Sequence, residues 1–247
     1  MSRLIRAFTG FIKNTFPVLS TNNSLCPSLP DMPGERSFYA TSAAMIGGST
    51  HIVVSGGRDG NNNTLSSVIL LNITEAHDAW QSLPDMPERR RFHAMSTVNM
   101  NDRVYIVVSG GVDNHFNLLS SVIYLDVNNP SAGWQTDLPN MPIARGCCPM
   151  TTIMINGRDY IVISGGQNKN HNRLISVICL DVNNPGSGWQ FLPDMPQPRI
   201  HHAMCIATIG GNDHIVVSGG TNENIDSLTS VICLDVNKTR PEWQSLP

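Results

Sequence analysis

The sequence predicts an all-β fold, a β-propeller of four four-stranded antiparallel blades, and two observations carry this prediction. The phrase Ser-Gly-Gly ends an apolar run four times along the 247 residues, and all four tryptophans recur in step with it at intervals of 54, 55 and 54 residues. A period near fifty residues is typical of repeat architectures. The repeated positions are Gly56 and Gly57, Gly110 and Gly111, Gly165 and Gly166, Gly219 and Gly220, and Trp80, Trp134, Trp189 and Trp243.

The second copy illustrates the four strands that we expect in each unit. Segments 92–98, 105–108 and 121–127 are largely apolar on both faces, which indicates strands covered on both sides. A polar loop at 112–117 follows the glycine pair, and 128–131 is a strong turn signal. Trp134 opens a fourth segment, whose closing prolines suit an outer edge strand. Such sheets need neighbours on both faces, and radial stacking supplies them.

The residues that recur in every copy are expected to be structural. Glycine lets the backbone bend and approach another chain closely, and tryptophan is large enough to fill the space between two blades. An arginine precedes the first strand of each copy, and its guanidinium fork is expected to bind neighbouring carbonyls. These arginines are Arg36, Arg90, Arg145 and Arg199.

The chain divides into a short extension, residues 1–24, and one repeat domain, residues 25–247, with copies at about 31–84, 85–139, 140–193 and 194–247. The extension is amphipathic, with apolar residues at helical spacing, three basic residues, and no acid before Asp31. It is either a targeting peptide or membrane-surface helix, or a helix that packs on the main domain. The six cysteines lack metal-ligand spacing, which indicates reduced, core-filling thiols and a cytoplasmic location.

The composition argues against several classes of protein. Charged residues make up 14% of the chain and the net charge is −3, without the basic footprint of a nucleic-acid binder. No apolar run approaches the roughly 18 residues of a membrane span. His93, His201 and His202 are the best candidates for a metal site, but other copies place aromatic or thiol side chains there. We therefore expect no metal and no cofactor.

These residues resemble the kelch repeat. The matching features are the arginine before the first strand, the apolar-Gly-Gly phrase, the late tryptophan, and a hydrophobic-Asp phrase at Asp126, Asp181 and Asp235. The resemblance covers about nine tenths of the chain; Asn72 replaces the aspartate in the first copy, and Cys26 stands where the register expects a tryptophan. The resemblance implies a propeller that binds a partner protein through one loop face. Some kelch-like propellers are enzymes, including sialic-acid mutarotases and copper oxidases.

The sequence is compatible with two arrangements of the blades, a closed ring and an open stack. The phrase Leu-Pro occurs five times, whereas the three preceding strand types occur only four times. Either four blades close into a complete small ring, with the first Leu-Pro as an imperfect extra strand, or the chain is part of a longer propeller. An open stack exposes an apolar blade face and invites self-association.

The candidate binding surface is the loop face, defined here as the loops after each Gly-Gly together with the turns that enter each first strand. These stretches vary most between copies. The expected partner-binding residues are Arg58, Arg91, His115, Gln167, His171, His201 and Asn222. Alternatively, Asn-rich loops are simply good turn formers. No Gly-x-Ser-x-Gly or His-Glu-x-x-His motif occurs, so we expect a non-enzymatic interaction module, with a carbohydrate mutarotase as the alternative.

Overall fold

The computed structural model describes residues 29–74, 79–100 and 103–246, and within these ranges the strands form four antiparallel sheets. Blade 1 contains β1 (Ala40–Ile46), β2 (Ser49–Ser55), β3 (Val68–Asn72) and β4 (Gln81–Leu83). Blade 2 contains β5 (Ala94–Met100), β6 (Arg103–Ser109) and β7 (Val122–Asp126). Blade 3 contains β8 (Met150–Ile155), β9 (Arg158–Ser164), β10 (Val177–Asp181) and β11 (Gln190–Leu192). Blade 4 contains β12 (Ala203–Ile209), β13 (Asn212–Ser218), β14 (Val231–Asp235) and β15 (Trp243–Leu246).

The strands of each blade pair in chain order, each with the next. The first strands β1, β5, β8 and β12 contact one another from blade to blade, which puts them nearest to the common axis. Short 3₁₀ turns, Pro130–Ala132 and Pro185–Ser187, follow the two Asn-Asn pairs of the Asn-Asn-Pro turn signals. The predicted all-β fold of four antiparallel blades is confirmed.

Blade 2 departs from its neighbours at the outer edge. Its fourth strand is reduced to one bridge, in which the backbones of Tyr124 and Gln135 exchange hydrogen bonds of 3.1 and 2.8 Å. The cause is visible in the sequence: Trp134 is followed by Gln-Thr-Asp-Leu, one residue more than in the other copies. The extra residue breaks the pairing register, as a bulge does.

The hydrophobic core lies between blades. One cluster joins blades 1 and 2 and includes Val53 and Ile106; a second joins blades 2 and 3 and includes Val107 and Ile161. A third joins blades 3 and 4 around Val162 and equivalent residues. In the two inner blades, the β-branched residues Ile106, Val107, Ile161 and Val162 of the second strands are thus fully buried, as the apolar runs predict.

None of these core clusters joins blade 4 to blade 1 among the described residues, so the four blades form an arc with two end faces. The end blade is correspondingly less covered: Val216 is half-buried, whereas its counterparts Val107 and Val162 are fully buried. The prediction that the thiols fill the core is wrong for Cys205, which is exposed on β12 because no neighbour packs on that side. Residues 1–24 and Cys26 lie outside the described residues.

Candidate functional site

The repeated arginines lie at the base of the turns that carry the loop face. Nη1 of Arg90 donates to the carbonyl of Gly110 at 3.1 Å, and its Nη2 donates to Oγ of Ser121 at 2.8 Å. Arg36, Arg145 and Arg199 make the same bond to Gly56, Gly165 and Gly219. Burial lowers the pKa of Arg90 to about 10, so the guanidinium stays protonated at neutral pH.

The glycine pairs join each blade to the next. The N–H of Gly57 donates to the carbonyl of Arg90 at 2.8 Å, and the N–H of Gly111 donates to that of Arg145 at 2.9 Å. A Cβ on Gly111, where φ is 90°, would lie 2.8 Å from the carbonyl oxygen of Arg91, so no side chain fits. Each tryptophan Nε1 donates to the carbonyl of a proline 50 residues earlier, as Trp134 does to Pro84 at 2.9 Å. The same bond links Trp80, Trp189 and Trp243 to Pro30, Pro139 and Pro193.

Four residues at one repeat position line the centre of the loop face, and we call them the mouth residues: Phe38, Phe92, Cys147 and His201. Each N–H donates to the carbonyl of the mouth residue before it, from Phe92 to Phe38, Cys147 to Phe92 and His201 to Cys147, at 2.9 to 3.0 Å. All four have left-handed backbones with φ between 54° and 58°. The mouth is therefore held by a backbone chain that runs from blade to blade.

The mouth side chains form an aromatic surface. The rings of Phe38 and Phe92 lie 4.3 Å apart, and the Phe92 and His201 rings lie 5.9 Å apart. The Arg58 guanidinium lies 5.8 Å from the Phe38 ring. A shallow cavity of about 270 Å³ opens among them. Two predicted partner-binding residues, Arg58 and His201, thus flank one cluster.

Each loop after a Gly-Gly pair is built on one side chain that accepts from its own loop. Oδ1 of Asp113 accepts from the N–H groups of His115 and Asn117, both at 2.8 Å. Asp59, Asn168 and Asn222 do the same in the other copies. Asn222 was a predicted partner-binding residue, but the structure places its side-chain oxygen inside its loop, which fits the turn-forming alternative.

The tips of these loops carry a second set of left-handed residues, the tip residues Asn62, Phe116, His171 and Ile225, with φ of 69°, 65°, 62° and 67°. Phe116 and Ile225 are each 75% exposed. Sequence reasoning missed both of them because it weighed the polar residues of these loops. The signal was present: an apolar residue stands at the fifth position after the second glycine, in an otherwise polar loop.

The remaining predicted residues are spread over the loop face. Arg91 is 8% exposed, and its guanidinium lies 4.8 Å from the Phe116 ring. Nε2 of Gln167 donates to the carbonyl of His171 at 3.1 Å. His115 is exposed next to Phe116. The structure therefore brings Arg58 and His201 to the mouth, Arg91 and His115 to the second loop, and Gln167 and His171 to the third.

Burial favours the neutral forms of the histidines and cysteines beside the mouth cavity, and burial is also what lowers the pKa of His201. Burial lowers the pKa of His93 to about 3 and that of His202 to about 3, and burial raises the pKa of Cys147 to about 12 and that of Cys148 to about 11. No carboxylate lines this cavity. General acid–base catalysis works best with a pKa near the working pH, and the pKa values of His93, His202, Cys147 and Cys148 lie far from it.

Neither a metal site nor a membrane span is evident in the described part of the chain. It holds no group of three His, Cys, Asp or Glu side chains that could bind a metal ion. No helix within the described ranges is long and apolar enough to cross a membrane.

The radial blades and the arginine–glycine contacts define a β-propeller, the fold that the kelch resemblance implies. The chain is 25% identical to Adagio protein 3 of Arabidopsis thaliana over 212 residues, 79% of this chain and 32% of that protein. It is also 25% identical to Adagio-like protein 1 of Oryza sativa subsp. japonica over 218 residues, 81% of this chain and 33% of that protein. The chain thus spans about a third of the length of these curated relatives.

A solved structure gives the same fold. The structure of YjhT superimposes with a TM-score of 0.65 at 14% identity, covering 89% of this chain and 67% of that chain. No protein-family model matches the sequence. At this identity the likeness concerns the fold alone.

Proposed function

We propose that this propeller is a non-enzymatic interaction module that binds a partner protein through its loop face. The observation that carries the proposal is the set of left-handed, solvent-facing residues that are neither glycine nor asparagine. Phe116 and Ile225 hold φ of 65° and 67° at 75% exposure. A left-handed backbone destabilises an L-residue by about 1 kcal/mol, most of all a β-branched one.

This strain is not offset by burial of the tip side chains. An exposed side chain contributes little burial energy, and Asn62 at the same position of the first copy shows that a better-suited residue is compatible with the loop. Strained backbone persists where function requires the side chain. Exposed aromatic and aliphatic side chains beside arginines, as at Phe116 with Arg91 and Phe38 with Arg58, have the composition of binding hot spots.

The proposal includes a cytoplasmic location, which rests on the cysteine pattern, and a domain spanning 25–247. The kelch resemblance supports a partner-binding role. A mutarotase would instead need an acid and a base that converge on one polar pocket and titrate near neutrality. The mouth cavity offers His93, His202, Cys147 and Cys148, whose pKa values lie far from 7, and His201, whose pKa is lowered by burial.

The test compares two tip residues with an apolar residue at the other end of a blade. Phe116→Asn with Ile225→Asn removes both apolar tips, and the control Met154→Asn alters a side chain 58% exposed on β8, next to the opposite hairpin. Affinity capture from native cell lysate, quantified by mass spectrometry, is expected to lose partners in the double variant and keep them in the control. Equal recovery by wild type and both variants would overturn the loop-face assignment.

A further inference from the structure

We propose that the groove between the first and second loops binds a carboxylate side chain from an acidic segment of the partner. This inference rests on the proposed function and names the chemistry of the partner at one place on the loop face. The groove has a volume of about 590 Å³. Its walls include Arg89, Arg91, Leu65, Asn114 and Phe116.

Both arginines are held in place by the same residue. Nη1 of Arg91 donates to Oγ1 of Thr64 at 3.1 Å, and Nη1 of Arg89 donates to the backbone carbonyl of Thr64 at 2.9 Å. The Phe116 ring covers the Arg91 guanidinium, whose carbon lies 4.8 Å from the ring centroid. Arginines fixed in this way lose little freedom when a ligand binds.

Arg91 has a hydrogen-bond donor that the fold leaves without a partner. It is 8% exposed, yet its Nε–H makes no hydrogen bond. Neither Arg91 nor Arg89 has an ion-pair partner among the described carboxylates. A buried cationic donor without a partner is unfavourable, and a carboxylate that accepts from the guanidinium fork relieves this.

The one carboxylate on the groove wall is engaged elsewhere. Oδ1 of Asp59 accepts from the N–H groups of Asn61 and Asn63 at 3.0 and 2.7 Å, and its Oδ2 accepts from Nδ2 of Asn63 at 3.0 Å. These bonds, the Asn63 side chain first, lower the pKa of Asp59. The groove therefore presents two cations against one carboxylate already bound within its own loop.

The arrangement is specific to this position in the arc. The residues equivalent to Arg91 are Ser37, Gly146 and Ile200, so the other entering turns bring no cation to the matching place. A glutamate fits the groove best, because its methylene stem can pack against the exposed Phe116 ring while its carboxylate meets the planar guanidinium.

The test uses an array of random octapeptides, each glutamate or aspartate peptide paired with its glutamine or asparagine counterpart, and the intact chain as the probe. Wild type is expected to prefer the acidic member by roughly 10- to 100-fold, the range of a charge-assisted hydrogen bond. Arg91→Gln with Arg89→Gln is expected to remove that preference. Lys169→Gln, which removes one positive charge from the third loop, is the control and is expected to change the preference less than about twofold.

The outcomes separate this inference from the proposed function. Peptide binding without acidic preference, lost in the Phe116→Asn and Ile225→Asn variant, would support the loop face and overturn the carboxylate site. An acidic preference that survives in the arginine variant would also overturn the site. Failure of wild type to bind any peptide would count against both. Arg91→Lys, which keeps the charge but not the planar fork, is expected to retain only part of the preference, and a melting curve confirms that each variant folds.

Discussion

The joints between blades and the tips of the loops occur in every copy, but they differ in what is repeated. The joints repeat the residue type, whereas the tips repeat only the backbone conformation. At the joints, arginine and glycine occupy the same place in all four copies. The arginine side chain donates to the glycine carbonyl of its own copy, as Arg90 does to Gly110, and its backbone carbonyl accepts from the glycine N–H of the preceding blade, as Arg90 does from Gly57. At the tips, the backbone conformation is constant, while the side chain changes from Asn62 to Phe116, His171 and Ile225. The fold thus requires a particular side chain at the joints, whereas at the tips it requires only a left-handed backbone.

The largest effect that would test this comparison is the loss of a joint arginine. Arg90→Ala leaves the Gly110 carbonyl and Ser121 hydroxyl without their buried donor and is expected to lower the free energy of unfolding by about 3–5 kcal/mol. Arg58→Ala on the loop face is expected to change it by about 0.5 kcal/mol or less. Urea unfolding curves measure both. Similar losses in the free energy of unfolding for the two variants would contradict the distinction between the joints and the loop face.

The pH dependence of stability provides a second test of the joints. His93 and His202 share hydrogen bonds of 2.8 Å with Ser55 and Ser164 of the preceding blade, and burial lowers their pKa values to about 3 from 6.5. Because the folded pKa lies below the unfolded value, their contribution is complete above pH 6.5 and is lost as the pH falls towards 3. At pH 5 each histidine is expected to destabilise the fold by about 2 kcal/mol.

The chain itself suggests the matched control for this acid sensitivity. Cys148 occupies the equivalent place in the third copy and is buried, so His93→Cys with His202→Cys keeps a packed joint without a titrating imidazole. This double variant is expected to flatten the stability profile between pH 7 and 5, whereas His115→Asn on the second loop leaves it unchanged. An unaltered profile in the double variant would place the acid response elsewhere.

An effect smaller than those at the joints, and of opposite sign, is expected at the tips. Ile225→Asn is expected to stabilise the fold by about 1 kcal/mol, because asparagine tolerates a left-handed backbone and isoleucine does not. The reverse exchange in the first loop, Asn62→Ile, is expected to destabilise it by a similar amount, with the added loss of the Arg58 hydrogen bond. Thermal unfolding of the pair checks this. A loss of stability in Ile225→Asn would mean that the tip side chain supports the fold.

The contrast between repeated joints and variable tips also determines how much of the structure the sequence predicts. The blades and their antiparallel order could be predicted because apolar runs, glycines and arginines recur at fixed spacing. The reduced outer strand of blade 2 was within reach of the sequence, because the extra residue between Trp134 and Leu138 changes the register. The exposure of Cys205 could not be predicted from the sequence, because it depends on whether a neighbouring blade covers β12, and no local pattern encodes that.

The candidate site was predicted only in part. The location of the loop face could be inferred from variation between copies, and Arg58, Arg91 and His201 do lie beside aromatic rings. The apolar character of Phe116 and Ile225 could be read from the sequence, but their backbone strain, which makes them informative, is a property of φ that only the structure shows. The groove between the first and second loops was missed because Arg89 and Arg91 meet only through Thr64, 25 and 27 residues earlier in the chain.

The joint also explains how such a protein can lengthen. At the three seams, the N–H of Gly57, Gly111 and Gly166 donates to the carbonyl of the arginine in the following copy, which is Arg90, Arg145 and Arg199 in turn. Donor and acceptor halves are thus present in every unit. A tandem duplication of one copy in the gene would insert a blade whose two seams are already complementary, so blade number can change in a single genetic event while loops diverge independently.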